Sequence, residues 1–292
     1  MTDSVVSTED RFVTVPDGLK LHVRDWRPAA HRGAPVVCLP GLARTLDDFV
    51  LLAERLSAQG RRVIAISARG RGLSERDPDP ARYQLKTESE DVLATLDAIG
   101  VDAAHVVGTS RGGLHAMTIA ALRPSALRSV VLNDIGPVVE TEGLKRIREG
   151  LARHQAPRDF AHGARLLAMA YAERFPALTA QDFDRWARRA WRSAPTGLEP
   201  ACDPALMRIF EGVDLDRPTP AIWPVFDLLA GVPLMVVRGE HSDILSAETV
   251  RAMTERRPLT VVTTPGQGHA PLLEDEPTMS AIARFLDEAD PA

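Results

Sequence analysis

Short unbroken apolar runs alternate along this chain with longer segments whose apolar residues recur at helical spacing. Residues 11–15 and 20–26 flank the turn Pro16-Asp17-Gly18 and predict a hairpin. Val36-Val37-Cys38-Leu39 is too short for a helix and apolar throughout, as expected of a strand buried on both faces. A helix is predicted near 47–58, where Phe49, Leu51, Leu52 and Leu56 fall on overlapping turns. The rhythm repeats through strand 63–66, helix 87–99, strand 105–107, helix 111–123 and strand 130–132. Buried strands separated by amphipathic helices imply a parallel sheet with right-handed crossovers.

From about 136 to 231 the rhythm breaks, and only helices are predicted. The clearest runs from Thr179 to Trp191: Thr179 and Asp182 form a capping-box pattern, and Phe183, Trp186, Ala187, Ala190 and Trp191 make one apolar stripe. Alternation resumes with strand 234–237, a helix from Ser246, strand 259–262 and a last helix to about Asp287. The expected fold is α/β, a mostly parallel, doubly wound sheet of eight strands with an inserted helical segment. The core is expected over residues 1–136 and 232–292, with the insertion over 137–231. Residues 2–9 read as a solvated tail.

Within this frame one turn carries chemistry. Val107-Gly108-Thr109-Ser110-Arg111-Gly112-Gly113 contains G-x-S-x-G where a buried strand passes into a helix. Such a turn must be sharp enough to push the serine hydroxyl above the sheet edge. Glycines two before and two after remove the β-carbons that would clash, and the fresh amides of the helix start favour negative charge beside the serine. Further on, Arg238-Gly239-Glu240-His241-Ser242-Asp243 and Gly266-Gln267-Gly268-His269 each follow a strand, where the sites of open α/β sheets lie.

These motifs make the sequence resemble the α/β-hydrolase family, from about Arg11 to the final helix. The resemblance implies a triad of Ser110, Asp243 and His269, in the chain order serine, acid, histidine. A histidine suits the base because its imidazole is neutral yet basic near neutral pH, and the acid would hold its tautomer. His241 reads instead as a solvated loop residue and His115 as a packed helical one. Asp134 is the competing acid. It also follows a strand, but Asp134-Ile135-Gly136-Pro137 reads as a turn leading into the insertion, and the R-G-E-H-S-D context matches the family's acid loop at Asp243.

The resemblance also places the oxyanion-hole amides on Leu42, after Leu39-Pro40-Gly41, and on Arg111, with proline where the family more often has histidine before that glycine. The stretch 66–74 looks like the family's P-D-x-R-G-x-G-x-S turn, with Ile66 and Ser67 in place of proline and aspartate. The insertion corresponds to the family's cap. Its candidate substrate contacts are Trp191 and Trp223, joined by Arg44, although each aromatic suits packing of a helix into its own core better than it suits substrate contact. The implied activity is cleavage of a small or medium ester or lactone through an acyl-enzyme. Carbon–carbon hydrolysis of a ring-fission diketone and non-catalytic binding of a small molecule on the same scaffold are the alternatives.

Composition changes this picture little. The 292 residues are 45% hydrophobic and 26% charged, with a formal net charge of −5. Arginines are scattered rather than clustered, which argues against nucleic acid or an anionic membrane surface as partner. The two cysteines, Cys38 and Cys202, have no metal-like neighbours at ligand spacing, so neither metal nor cofactor is expected. Cys38 should be a buried thiol. The polar start and the lack of a 20-residue apolar run suggest a cytoplasmic enzyme acting on a small-molecule substrate. The sequence leaves homo-oligomer formation open.

Overall fold

The computed structural model describes residues 6–152, 156–195 and 197–290. In chain order its first half comprises β1 (Val6–Thr14), β2 (Lys20–Pro28), β3 (Val36–Leu39), α1 (Val50–Ala58), β4 (Val63–Ile66), α2 (Leu85–Ala98), β5 (Ala104–Thr109), α3 (Arg111–Leu122) and β6 (Leu127–Asn133). An inserted stretch follows with α4 (Thr141–Ala152), α5 (Phe160–Tyr171), α6 (Ala180–Ala190), β7 (Trp191–Ala194), β8 (Gly197–Pro200) and α7 (Trp223–Asp227). The chain then closes with β9 (Leu234–Gly239), α8 (Ala247–Arg256), β10 (Thr260–Thr264) and α9 (Glu276–Ala289).

Eight strands form one sheet in the order β1-β2-β4-β3-β5-β6-β9-β10. The β1–β2 and β2–β4 pairs are antiparallel and the others parallel. Successive side chains of a strand point to opposite faces, and this divides the core in two. Val37, Leu39, Val106, Val130 and Val236 pack under α2, α3 and α8, against Val92, Leu96, Met117 and Met253. Val36, Cys38, Val107, Val131 and Val237 face the other way, against Leu52 and Leu56 of α1 and Ile282 and Leu286 of α9. Helices on both faces explain why the central strands are apolar without alternation. Cys38 is buried, and burial pushes its thiol well above the usual cysteine range.

Two local expectations are corrected. Residues 6–9 are not a tail, because β1 pairs along its whole length with β2, Val6 opposite Pro28 and Glu9 opposite Asp25. The polar side chains of this stretch suit an edge strand facing water. Nor is the insertion purely helical. Trp191 leaves α6 and starts β7, which forms an antiparallel ribbon with β8. The apolar stripe that seemed to carry the helix through Trp191 continues instead as packing of that ribbon on the helices. The capping box at Thr179 and Asp182 is present, and Phe183, Trp186 and Ala187 pack with Leu167 and Phe175 in a core of the insertion's own.

Candidate active site

The turn after β5 brings Ser110 out above the sheet with φ 51° and ψ −114°, a backbone conformation that side chains rarely adopt. The flanking glycines are required by close approach. A β-carbon at Gly108 would lie 2.4 Å from the Gly112 carbonyl carbon, and one at Gly112 would lie 1.9 Å from the Leu39 carbonyl oxygen. The elbow therefore fits only because β3, β5 and the start of α3 meet without side chains between them. Ser110 donates its amide to the Asn133 carbonyl at 2.8 Å, which ties the elbow to the end of β6.

His269 arrives on the loop after β10. Asn133 Nδ2 donates to the Pro271 carbonyl at 2.9 Å, and Gln267 Oε1 accepts from the Leu272 amide at 2.9 Å, so the loop is held on both sides of the imidazole. Nε2 of His269 lies 2.9 Å from Ser110 Oγ, and Nδ1 lies 2.8 Å from Asp134 Oδ2. A carboxylate can only accept, so Nδ1 carries the proton and Nε2 offers its lone pair to the serine hydroxyl.

The acid beside the histidine is therefore Asp134, and the expectation of Asp243 in that place is corrected. Asp134 follows β6, the strand between β5 and β9, and takes φ 58°, which aspartate tolerates better than most residues. Its fully buried carboxylate accepts from the Gly239 amide at 2.8 Å, from Ser242 Oγ at 2.6 Å and from His269. The R-G-E-H-S-D loop thus contributes its serine and its glycine amide to Asp134. Asp243 itself turns to α4, where Arg146 donates to both its oxygens at 2.5 and 2.7 Å, and Arg174 lies 3.4 Å away. Burial alone would raise the Asp243 carboxyl; Arg146, with His269 and Arg174, holds it below the usual carboxylate range. A loop motif could indicate that an acid belonged here, but only the partners each carboxylate finds in the folded chain show which one reaches the histidine.

Gly41 lies against the elbow, since a β-carbon there would stand 3.8 Å from Ser110 Cβ. Leu42 and Arg111 thus belong to segments that adjoin Ser110, and neither backbone amide has a hydrogen-bond partner among the described residues. The suggested substrate contacts fall elsewhere. Trp223 packs edge-on against Phe226 with the Arg256 guanidinium 4.9 Å over its ring, and Trp191 packs against Gly163 in the insertion's core. Both rings are half-buried in these contacts, Trp223 against the core under α3 and Trp191 against that of the insertion. Arg44 is bonded to both oxygens of Asp48 at 2.6 and 2.7 Å and lies over the Trp186 ring. His115 is buried in α3 and His241 is exposed, each as its sequence context implied. Sequence reasoning missed Asn133, Ser242 and Arg146, whose types carry no motif of their own.

No group of side chains among the described residues could hold a metal ion, and no helix among them is long and apolar enough to cross a membrane.

A sheet of this order, with a strained serine elbow and a histidine after the last strand, defines the class: the chain belongs to the α/β-hydrolase fold family, whose profile matches residues 34–276, and it is a hydrolase. It is 31% identical to the 3-hydroxybutyrate-oligomer hydrolase of Cupriavidus necator, covering 94% of this chain and 95% of that one. It is 30% identical to the 2-(acetamidomethylene)succinate hydrolase of Mesorhizobium japonicum, over 77% of this chain and 78% of the other. Among solved structures, an α/β hydrolase from Novosphingobium aromaticivorans superposes with a TM-score of 0.89 at 38% identity, covering 97% of this chain and 99% of that one.

Proposed function

We propose that this hydrolase cleaves a small or medium ester through an acyl-enzyme, with Ser110 as nucleophile, His269 as general base and Asp134 as the acid that orients it. The observation that carries the reading is the continuous chain from Ser110 Oγ through both nitrogens of His269 to Asp134 Oδ2. Serine is a poor nucleophile at its own pKa, so the hydroxyl proton must pass to Nε2 as the oxygen attacks the ester carbonyl. The imidazolium formed is stabilised by the buried Asp134 carboxylate. It then protonates the departing alcohol, and water repeats the sequence to release the acid. The amides of Leu42 and Arg111 receive the negative oxygen of each tetrahedral intermediate, an effect worth about 3–4 kcal/mol for a well-placed donor.

The substrate carries a carboxylate. Arg174 lies on the histidine side of the site, its Cβ facing Gly268, and it shares Asp243 with Arg146, so two guanidinium groups face one acid there. The names of both relatives contain a carboxylate, butyrate in one and succinate in the other.

A fluorophosphonate should label the wild-type protein once and leave Ser110→Ala unlabelled; equal labelling of both would overturn the nucleophile. Monoethyl succinate should be hydrolysed with a kcat/KM at least about tenfold above that of diethyl succinate, and Arg174→Ala should erase the preference. Equal rates on the two esters would remove the carboxylate from the reading. A vinylogous diketone in the same panel separates carbon–carbon cleavage from ester hydrolysis.

A further inference from the structure

The residues that flank the oxyanion amides share one partner. Glu88, on α2, is buried to 1% exposure. Its Oε2 accepts from Arg111 Nε at 2.6 Å, and its Oε1 accepts from Arg71 Nη1 at 2.6 Å. Arg71 in turn donates from Nε to the Leu42 carbonyl at 2.7 Å and from Nη1 to the Arg69 carbonyl at 2.6 Å. Arg111 also reaches the Tyr83 carbonyl from Nη2 at 3.3 Å. One carboxylate therefore anchors both segments: the Arg111 side chain directly, and Leu42 through Arg71. His115 Nε2 lies 3.3 Å from the same Oε2, and its Nδ1 is 2.9 Å from Ser89 Oγ.

We propose that Glu88 is a positioning residue for the hydrolytic reaction, fixing through Arg71 and Arg111 the two backbone amides that receive the oxyanion. The inference rests on the Ser110 reading of the site. Its physical argument is one of cost and geometry. Burying two guanidinium groups with a carboxylate is expensive, and an apolar cluster of the same volume would stabilise the fold as well or better. Here the arrangement ends on the two residues whose amides must stay still. Holding the Leu42 carbonyl restricts the φ and ψ torsions that join it to its own amide. Holding the Arg111 side chain does the same for the first residue of α3, directly after the nucleophile. Preorganised donors act because they need not move as charge develops, so a displacement too small to unfold the protein lowers the rate. The polar pattern of α2 hides this role, since a glutamate in that helix reads from sequence as part of a solvated face.

The test compares wild type with Glu88→Gln, Glu88→Asp and Arg111→Met, each counted by its fluorophosphonate-titrated sites. The assays are turnover of a p-nitrophenyl ester and inhibition by a trifluoromethyl ketone, whose adduct carries the oxyanion. Glu88→Gln is expected to lower kcat per titrated site roughly 10- to 100-fold, less than the roughly 10²- to 10³-fold of a donor removed outright because the amides remain and are only displaced, with KM changed less than about threefold. The ketone should weaken by the same factor, and the acid limb of the kcat/KM profile should stay in place. Arg111→Met keeps the amide but loses its tether, and should show the same split between kcat and KM. Glu88→Asp should recover part of the loss. If Glu88→Gln does not fold, Arg111→Met alone decides. A kcat per titrated site within about threefold of wild type, with unchanged ketone affinity, overturns the proposal. A wild type that takes up no fluorophosphonate overturns the Ser110 reading instead, so the two failures are distinguishable.

Discussion

Asp134 Oδ2 stands 2.8 Å from Nδ1 of His269, across 135 residues of sequence, while Asp243 gives its carboxylate to Arg146. The two aspartates leave neighbouring strands, β6 and β9, and both lie near the imidazole. They differ in partners. Asp134 is completed by a backbone amide, a hydroxyl and the imidazole, all neutral donors that leave its charge available to an imidazolium. The charge of Asp243 is already matched by a guanidinium.

Asp134→Asn should therefore leave a folded protein with kcat lowered by up to roughly 10⁴, because the amide can favour the wrong histidine tautomer. Asp243→Asn should keep kcat within about tenfold of wild type while loosening the contact of α4 with the core. Circular dichroism and titrated-site kinetics on both variants check this. Collapse of turnover in Asp243→Asn with near-normal turnover in Asp134→Asn would reverse the assignment.

The elbow should tolerate no side chain at Gly112. The added methyl of Gly112→Ala would sit 1.9 Å from the Leu39 carbonyl oxygen, a backbone atom that cannot rotate away. Separating β3 from α3 enough to admit it should cost about 3 kcal/mol or more, the upper range for overpacking. Chemical denaturation would measure the loss. Gly100→Ala is a useful contrast, since its φ of 70° is strained but nothing lies within 4 Å of the added carbon; it should cost about 1 kcal/mol. Equal stability of Gly112→Ala and wild type would show that the elbow packs otherwise.

Stability should fall as pH drops below about 6.5. Burial pulls the imidazoles of His105 and His115 below the usual histidine range, against the opposing pull of Asp290 on the first and Glu88 on the second. The unfolded chain takes up protons near pH 6.5 while the folded one resists until lower pH, so acid favours unfolding. At pH 5.5 each histidine can remove up to about 1.4 kcal/mol. The melting temperature should drop by several degrees between pH 7.5 and 5.5, and His105→Gln should flatten that slope. A melting temperature that is level or rising toward pH 5.5 would contradict the sign.

The sequence by itself determined the alternation of buried strands and amphipathic helices, because a strand covered on both faces has to be apolar at every position. It also determined where Ser110 and His269 leave their strands, since glycines at 108 and 112 and the loop after the last strand are local features. The choice of acid was beyond it. Asp134 and Asp243 each follow a strand and stand in turn-forming sequence, and what separates them is that one carboxylate reaches Nδ1 of His269 while the other is taken by Arg146, a fact of side-chain packing rather than of spacing. The ribbon of β7 and β8 was hidden for a similar reason: its four-residue strands pair only with each other and carry no periodicity long enough to read. Glu88 depends most of all on tertiary structure, because a glutamate is buried only where two arginines from distant segments converge on it, and nothing in α2 announces them.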